Sequence, residues 1–380
     1  MYKLIISILF LVSLQVKASE PITFQSVDSI TYQYYLVGDW DKLIEAGEQA
    51  IAQNIDFKRL RQRMGYAWFI KANYFASQKQ YEKALAFDEF DADTREYLYY
   101  CGLNTGNLVN ARLHAKKLPE DVKARLGIRA INPVSSIDLE YNYKFNNSDT
   151  RSNPAYFRAG LYSQTGYRLS LYQSASNYKQ TVDSVLIKQP DYFALLNWSV
   201  SSHASLSVAY HHLNTSLDGY KYPGNLVFAS LSTYVNRFTF GLNGSFFRYD
   251  IGDFKQIGLL AGVTLPGKSN FYYNAYLSGL IEKDQKRLIF AQFAGARILK
   301  KVWAEGTITI GNIQNYNDHN ALYIYNSIDP TVFRTGLSLF WHTNKKITFY
   351  GNYLYDTKQV EQTTNQYIQQ SFLGGIIWKL

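Results

Sequence analysis

The segment Ser136–Phe145, SIDLEYNYKF, alternates strictly: Ile137, Leu139, Tyr141, Tyr143 and Phe145 are apolar or aromatic, whereas Asp138, Glu140, Asn142 and Lys144 are charged or amide. A period of two belongs to an extended strand, whose successive side chains point to opposite faces. The alternation recurs to the C-terminus. One parity holds Tyr192, Ala194, Leu196, Trp198 and Val200; others hold Phe238, Phe240, Leu242 and Phe246, or Ile257, Leu259, Ala261, Val263 and Leu265. Phe333, Leu337, Leu339 and Trp341 follow, and Phe372, Ile376, Trp378 and Leu380 close the chain. Each set predicts a strand of about 10 to 13 residues, the length with which a tilted strand crosses a bilayer and longer than the ~5 to 6 usual in soluble sheets.

Cost assigns the faces. With the odd positions of Ser136–Phe145 outward, lipid meets only apolar or amphipathic groups. The reverse parity puts Asp138, Glu140 and Lys144 into hydrocarbon, at up to ~2 to 4 kcal/mol for a lysine at mid-depth. A soluble two-sheet sandwich is the other fold compatible with such alternation.

Tight connections are expected near Thr165-Gly166, Ser202-His203, Asn236, Pro266-Gly267-Lys268, Lys300-Lys301 and Asn344-Lys345. Longer polar stretches, read as loops, lie between them at 146–153, 177–189, 215–224, 250–255, 283–285, 312–330 and 356–365. Short turns at one end and long loops at the other are the pattern of outer-membrane barrels. Counting ALYIYNS (Ala321–Ser327) as a strand gives about fifteen, an odd number. Placing it inside the long loop 312–330 leaves about fourteen, with both chain ends in the periplasm.

Before the strands the period is helical, from about Pro21 to Leu126, in runs such as KLIEAGEQAIAQ and YEKALAF. Three phrases recur there: GDWDKL from Gly38, KQYEKA from Lys79 and GNLVNA from Gly106, spaced 41 and 27 residues apart. Each carries a large residue (Trp40, Tyr81, Leu108) and, three further on, a smaller one (Leu43, Ala84, Ala111). The phrases resemble the turn between the paired helices of a tetratricopeptide repeat, in which small residues allow close helix approach and the large one fills the gap. A non-repeating helical domain is the alternative. The N-terminal residues MYKLIISILFLVSLQVKASE put one lysine before a short apolar run and small residues at Val16 and Ala18, the form of a secretory signal peptide cut after Ala18. The expected organisation is therefore α+β and multidomain: a signal peptide (1–18), a tetratricopeptide-like helical domain (19–131) facing the periplasm, and a transmembrane antiparallel β-barrel of about fourteen strands (132–380).

Composition narrows the functions. The 33 tyrosines suit the amphipathic belt of a membrane barrel. A net charge of +9 suits an anionic partner, but no basic run with interleaved aromatics points to nucleic acid. Cys101 is the single cysteine, which excludes an internal disulfide framework and a cysteine-based metal site. His211-His212 project to opposite faces of one strand and cannot easily share a metal, and His203 and His342 stand near turns without a motif joining them to a serine or carboxylate. No glycine-rich phosphate loop, EF-hand or zinc pattern is present, so no cofactor, metal or catalytic set is expected. The charges predicted to face the lumen are Asp138, Glu140, Arg158, Arg168, Arg237, Glu305 and Arg334, able to brace the wall by cross-strand pairs or to select ions.

This arrangement resembles several outer-membrane families: the YaiO-type proteins, the exopolysaccharide-export porins and the surface lipoprotein assembly modifiers. Trp378-Lys379-Leu380 resembles the aromatic-bearing last strand read by the barrel assembly machinery, although the usual terminal aromatic is replaced by leucine. The resemblance implies transport, export or assembly of a cell-surface polysaccharide or protein. Outer-membrane lipid surrounds the barrel, and the helices receive a periplasmic protein or an exported polymer. A non-conducting anchor whose helices alone bind, and a barrel-type surface hydrolase, are the alternatives.

Overall fold

The computed structural model describes residues 22–250, 252–283 and 285–380, and the expected signal peptide, 1–18, lies outside them. Among the described residues seven helices come first: α1 (Phe24–Val37), α2 (Trp40–Ala52), α3 (Lys58–Ile70), α4 (Tyr74–Leu85), α5 (Ala92–Asn104), α6 (Leu108–Lys116) and α7 (Glu120–Leu126). The strands follow: β1 (Asn132–Asn146), β2 (Ala155–Gln164), β3 (Leu169–Val182), β4 (Val185–Ser199), β5 (Ala204–Leu217) and β6 (Tyr220–Val235). Next come β7 (Phe238–Tyr249), β8 (Gly252–Thr264), β9 (Tyr272–Glu282), β10 (Gln285–Leu299) and β11 (Val302–Ile310). The short β12 (Asn317–Asp318) and β13 (Tyr323–Ile324) form a separate two-stranded sheet, and β14 (Thr331–His342), β15 (Ile347–Gln359) and β16 (Gln366–Lys379) complete the series.

Fourteen of these strands close an antiparallel barrel in which each pairs with its neighbour along the chain, except that β11 pairs with β14 and β1 with β16. At the seam Ser136 stands opposite Lys379 and Asn146 opposite Gln369. Closure leaves no free sheet edge, the condition for strands to span hydrocarbon. The outer parity is the apolar one: Ile257 and Leu259 are 59% and 54% exposed, whereas Glu140 on the inner parity is 3% exposed. Leu259→Arg, near the middle of β8, is expected to cost about 2–4 kcal/mol in the urea unfolding of the lipid-reconstituted protein. A loss below about 1 kcal/mol would mean that this face does not meet hydrocarbon.

The loop rhythm differs from the sequence expectation. The segments 177–189 and 215–224 are not loops; β3 and β4 run up to the two-residue turn Asp183-Ser184, and β5 and β6 up to Asp218-Gly219. All four turn residues have positive φ (46°, 71°, 46° and 93°), the conformation with which a two-residue hairpin follows strand twist. Polar residues read there as loop are strand that continues past the apolar belt. The connections 147–154, 311–330 and 360–365 do run long, all at the end of the barrel away from the helices.

In the helical array, α1, α3 and α5 start at residues 24, 58 and 92, and α2, α4 and α6 at 40, 74 and 108, an interval of 34 throughout. The left-handed residues Gly38, Ala72 and Gly106 share that interval. So do the N-caps Asp39, Asn73 and Asn107, whose side chains accept from the backbone N–H three residues on. The phrase at Lys79 is therefore out of phase: Tyr81 and Ala84 lie inside α4, and the counterpart of Gly38–Trp40 and Gly106–Leu108 is Ala72–Tyr74. An alanine holding a left-handed turn carries no sequence mark of it, and the uneven spacing comes from that. Trp40 packs edge-on against Tyr35 and Tyr66, Leu43 and Ala84 are fully buried, and Tyr81 stacks on Tyr97 at 5.0 Å. Ala111 is buried against α5, where a Cβ on Gly102 would lie 2.7 Å from its backbone nitrogen; Leu108 is exposed.

His114 on α6 is held down to about 4 by burial and by the nearby Arg95 and Lys117. A histidine kept neutral in the fold and free to protonate when unfolded removes stability as pH falls. The array is expected to be stable above pH 6.5 and to weaken progressively from there to about 4, a loss that His114→Gln should flatten in thermal melts followed by helical circular dichroism.

The array docks on the short-turn end of the barrel. The N–H of Gly267 donates to the carbonyl of Ala72 (3.0 Å), and Asn107 Nδ2 to that of Ser202 (3.4 Å), so two equivalent helix–helix turns meet two strand–strand turns. Arg112 reaches into the mouth, donating to the hydroxyls of Tyr162 and of Ser170, the latter at 3.5 Å.

Candidate functional site: the barrel lumen

The chain between β11 and β14 folds inward. At Gly311 φ is 117°, and an added Cβ would lie 2.6 Å from the carbonyl of Leu288, so only glycine turns the chain off the rim at this point. The β12–β13 hairpin that follows has three consecutive left-handed residues at its tip, His319, Asn320 and Ala321 (φ 51°, 58° and 67°). Such a turn persists because its surroundings fix it. Ala321 is fully buried in a cluster with Phe193, Leu213, Leu226, Phe228, Phe247 and Phe254 from the inner wall, and its carbonyl is bonded to His211 Nδ1 at 2.8 Å.

The inserted segment is tied to strands around the circumference. Asn317 exchanges hydrogen bonds with Gln256 on β8 and donates to Ser245 Oγ on β7 (2.7 Å). Asn326 donates to Gln189 on β4 (2.7 Å). Tyr323 OH donates to Glu140 on β1 (3.0 Å), which also accepts from Arg158 Nη2 (2.8 Å) and Tyr350 OH (2.9 Å). Asp329 accepts from Arg151 Nε (2.8 Å) and Tyr367 OH (2.9 Å), and Tyr325 stacks under the Arg334 guanidinium at 4.4 Å.

Five of the seven charges predicted to face inward line the lumen. Asp138 accepts from Tyr172 OH (2.9 Å) and lies 3.7 Å from Arg158, which it shares with Glu140; Glu305 accepts from Tyr272 OH. Arg334 makes a two-pronged pair with Asp356 at 2.7 and 3.0 Å, both side chains buried. Arg168 and Arg237 lie instead in the turns β2–β3 and β6–β7, exposed at the rim, because their strands begin one residue later. Arg237 helps to line a space of about 630 Å³ between the barrel rim and the helical array, together with His203, Lys79 and Glu82.

Sequence reasoning missed Asp356, the Arg151–Asp329 pair, Lys358, and the tyrosines Tyr172, Tyr323 and Tyr350, and it put Lys144 on the inward parity without counting it among the lumen charges. Lys144 was legible, since it stands on the polar parity of Ser136–Phe145. Asp356 was not, since it opens a segment read as a loop. Among the histidines, His211 Nε2 lies 3.8 Å from Asp191, His203 and His342 bond to Ser202 and Thr348, and His319 meets its neighbour Asp318. Among the described residues no cluster of three or more His, Cys, Asp or Glu is placed to hold a metal ion. Beside the inserted segment a cavity of about 920 Å³ remains, running from Tyr162 and Asp138 near the helical array to Lys144 and Lys358 at the long-loop end.

A closed fourteen-strand wall with an apolar exterior and an interior that holds paired charges beside an apolar cluster defines the class: this is a transmembrane β-barrel protein with an N-terminal helical array. No protein-family model and no curated protein matches its sequence. Among solved structures it is similar to the Acinetobacter baumannii outer membrane protein Omp33 (6% identity, 65% of this chain and 99% of that one, TM-score 0.40). It is also similar to the CymD monoaromatic hydrocarbon channel (9%, 66% and 89%, 0.42) and to a Pseudomonas aeruginosa FadL homologue (8%, 66% and 91%, 0.42).

Proposed function

We propose that this protein is an outer-membrane barrel of transport type, with its short-turn end and helical array in the periplasm, whose lumen is narrowed by the inserted segment 311–330 to a passage for small hydrophilic solutes. The observation that carries the reading is the cavity of about 920 Å³ left beside that segment, in whose mixed lining charged groups such as Asp138, Glu140, Arg158 and Lys358 stand among tyrosines and aliphatic side chains. Fourteen strands about 4.8 Å apart and tilted by about 40° close a wall about 28 Å across, and inward side chains reduce this to a bore of about 14 Å. A two-stranded hairpin about 10 Å thick fills most of such a bore. The remaining space is the size of a small-molecule site, not of an open polymer channel.

The 34-residue interval supports reading the array as tetratricopeptide repeats, which bind peptides or extended polymers on a curved surface. Its position under the mouth, with Arg112 on Tyr162, supports a role in presenting a periplasmic partner or cargo to the lumen. A non-conducting anchor is the second reading, favoured by the dense bonding of the inserted segment. Reconstitution in planar bilayers decides between them. Small, regular current steps from the full chain support passage; silence from a barrel shown to be folded by its heat-modifiable migration would overturn it in favour of the anchor.

A further inference from the structure

We propose that the long-loop half of the lumen contains a binding site for an oxyanion, the phosphate, sulfate or carboxylate group of a small hydrophilic solute, held by Lys144 and Lys358. The inference deepens the reading of the lumen as a solute passage and rests on it for the identity of the ligand as cargo. Four cations stand in this region, and two are already committed: Arg334 to Asp356, and Arg151 to Asp329 and Asp183. The other two are not. Lys358 Nζ donates to two hydroxyls, Ser327 Oγ at 3.1 Å and Thr331 Oγ1 at 3.4 Å, and is in no ion pair, although the carboxylate of Asp356 stands two residues back on β15. Lys144 Nζ stands 5.8 Å over the Tyr178 ring, and among the described residues no carboxylate or hydrogen-bond acceptor is paired with it.

Both amino groups line the 920 Å³ cavity, and Lys358 is only 6% exposed. They reach it from β1 and β15, two strands separated only by β16. Glu361, the remaining carboxylate on this part of the lining, is exposed at the outer lip. The carboxylate that faces both is Asp356, which is already paired with Arg334, so three cations share one counter-charge on this part of the wall, and an anion in the cavity beside the lysines offsets the excess. An ammonium is a compact point charge that accepts tetrahedral and planar oxyanions alike. Deeper in the lumen the balance reverses: Asp138 and Glu140 share one arginine, Arg158, so an anion is held in the outer half and repelled below it.

The test is isothermal titration of the full chain in detergent with inorganic phosphate and, separately, with gluconate, beside conductance of the same preparation. Saturable binding that weakens with added salt and falls at least tenfold in Lys144→Gln/Lys358→Gln, but is retained in Lys144→Arg/Lys358→Arg, supports the site; preference for phosphate or for gluconate tells which oxyanion it takes. Heat-modifiable migration of each variant shows that its barrel is folded. No binding of either anion, or binding that the double glutamine variant leaves intact, overturns it. Anion binding by a folded protein that does not conduct refutes passage and keeps the site; conductance without anion binding keeps passage and refutes the site.

Discussion

Replacing Asp356 by asparagine is expected to destabilise the barrel by about 3–5 kcal/mol, read as an earlier urea midpoint with an unchanged slope. The carboxylate is fully buried and is the counter-charge of Arg334, and Lys358 stands two residues along the same inner face of β15. Without it Arg334, Lys358 and Lys144 lose the carboxylate that faces all three, and breaking a buried pair leaves the full desolvation cost of the survivor. Removing both partners is a different experiment. Arg334→Leu with Asp356→Leu exchanges the pair for apolar groups and is expected to lose less than Asp356→Asn alone. A single-substitution loss below about 1 kcal/mol would show that water reaches the pair and that this part of the lumen is wet. The oxyanion site sharpens the expectation, since phosphate in the buffer would supply part of the missing charge.

The parts of the fold that depend on periodicity were legible in the sequence; those that depend on long-range closure were not. Strict alternation from Ile137 to Phe145 and in the later strands gives both the strand direction and the lipid face, because a one-residue slip would move every charge into hydrocarbon. Strand ends were harder to read. In β3 to β6 the residues beyond the apolar belt are polar, and a polar strand standing in water has the composition of a loop. The helical interval was hidden for a related reason: the middle turn rests on Ala72, whose left-handed φ nothing in its side chain announces. The path of 311–330 was least legible of all. Its sequence is that of an outer loop, and what draws it inward is a set of single partners on β1, β4, β5, β7 and β8, each an ordinary polar or aromatic residue until the barrel closes around it. The two arginines at the rim, Arg168 and Arg237, show the converse: their parity is inward, but each lies one residue before its strand, where parity has no wall to act on.

Exchanging 313–328 for a short glycine–serine link is expected to raise single-channel conductance at least about threefold, because a hairpin about 10 Å thick then leaves a bore of about 14 Å. The wall should survive the change. Its strands are paired by continuous ladders through β11 and β14 (Val302 opposite Trp341, Ile310 opposite Phe333), and the excised residues add to the wall only the backbone bond from Ile313 N–H to the Thr331 carbonyl. What is lost is the packing of Ala321, Ile313 and Tyr316 on the inner wall and the side-chain bonds of Asn317, Tyr323 and Asn326 to it, all replaced by water. A single substitution gives the graded version: Tyr323→Phe removes one bond to the Glu140–Arg158 pair and is expected to increase brief openings without changing the main current level. If the excised protein folds and its conductance equals that of the native chain, the segment does not limit flow, and the resistance lies instead at the short-turn mouth where Arg112 meets Tyr162 and Ser170.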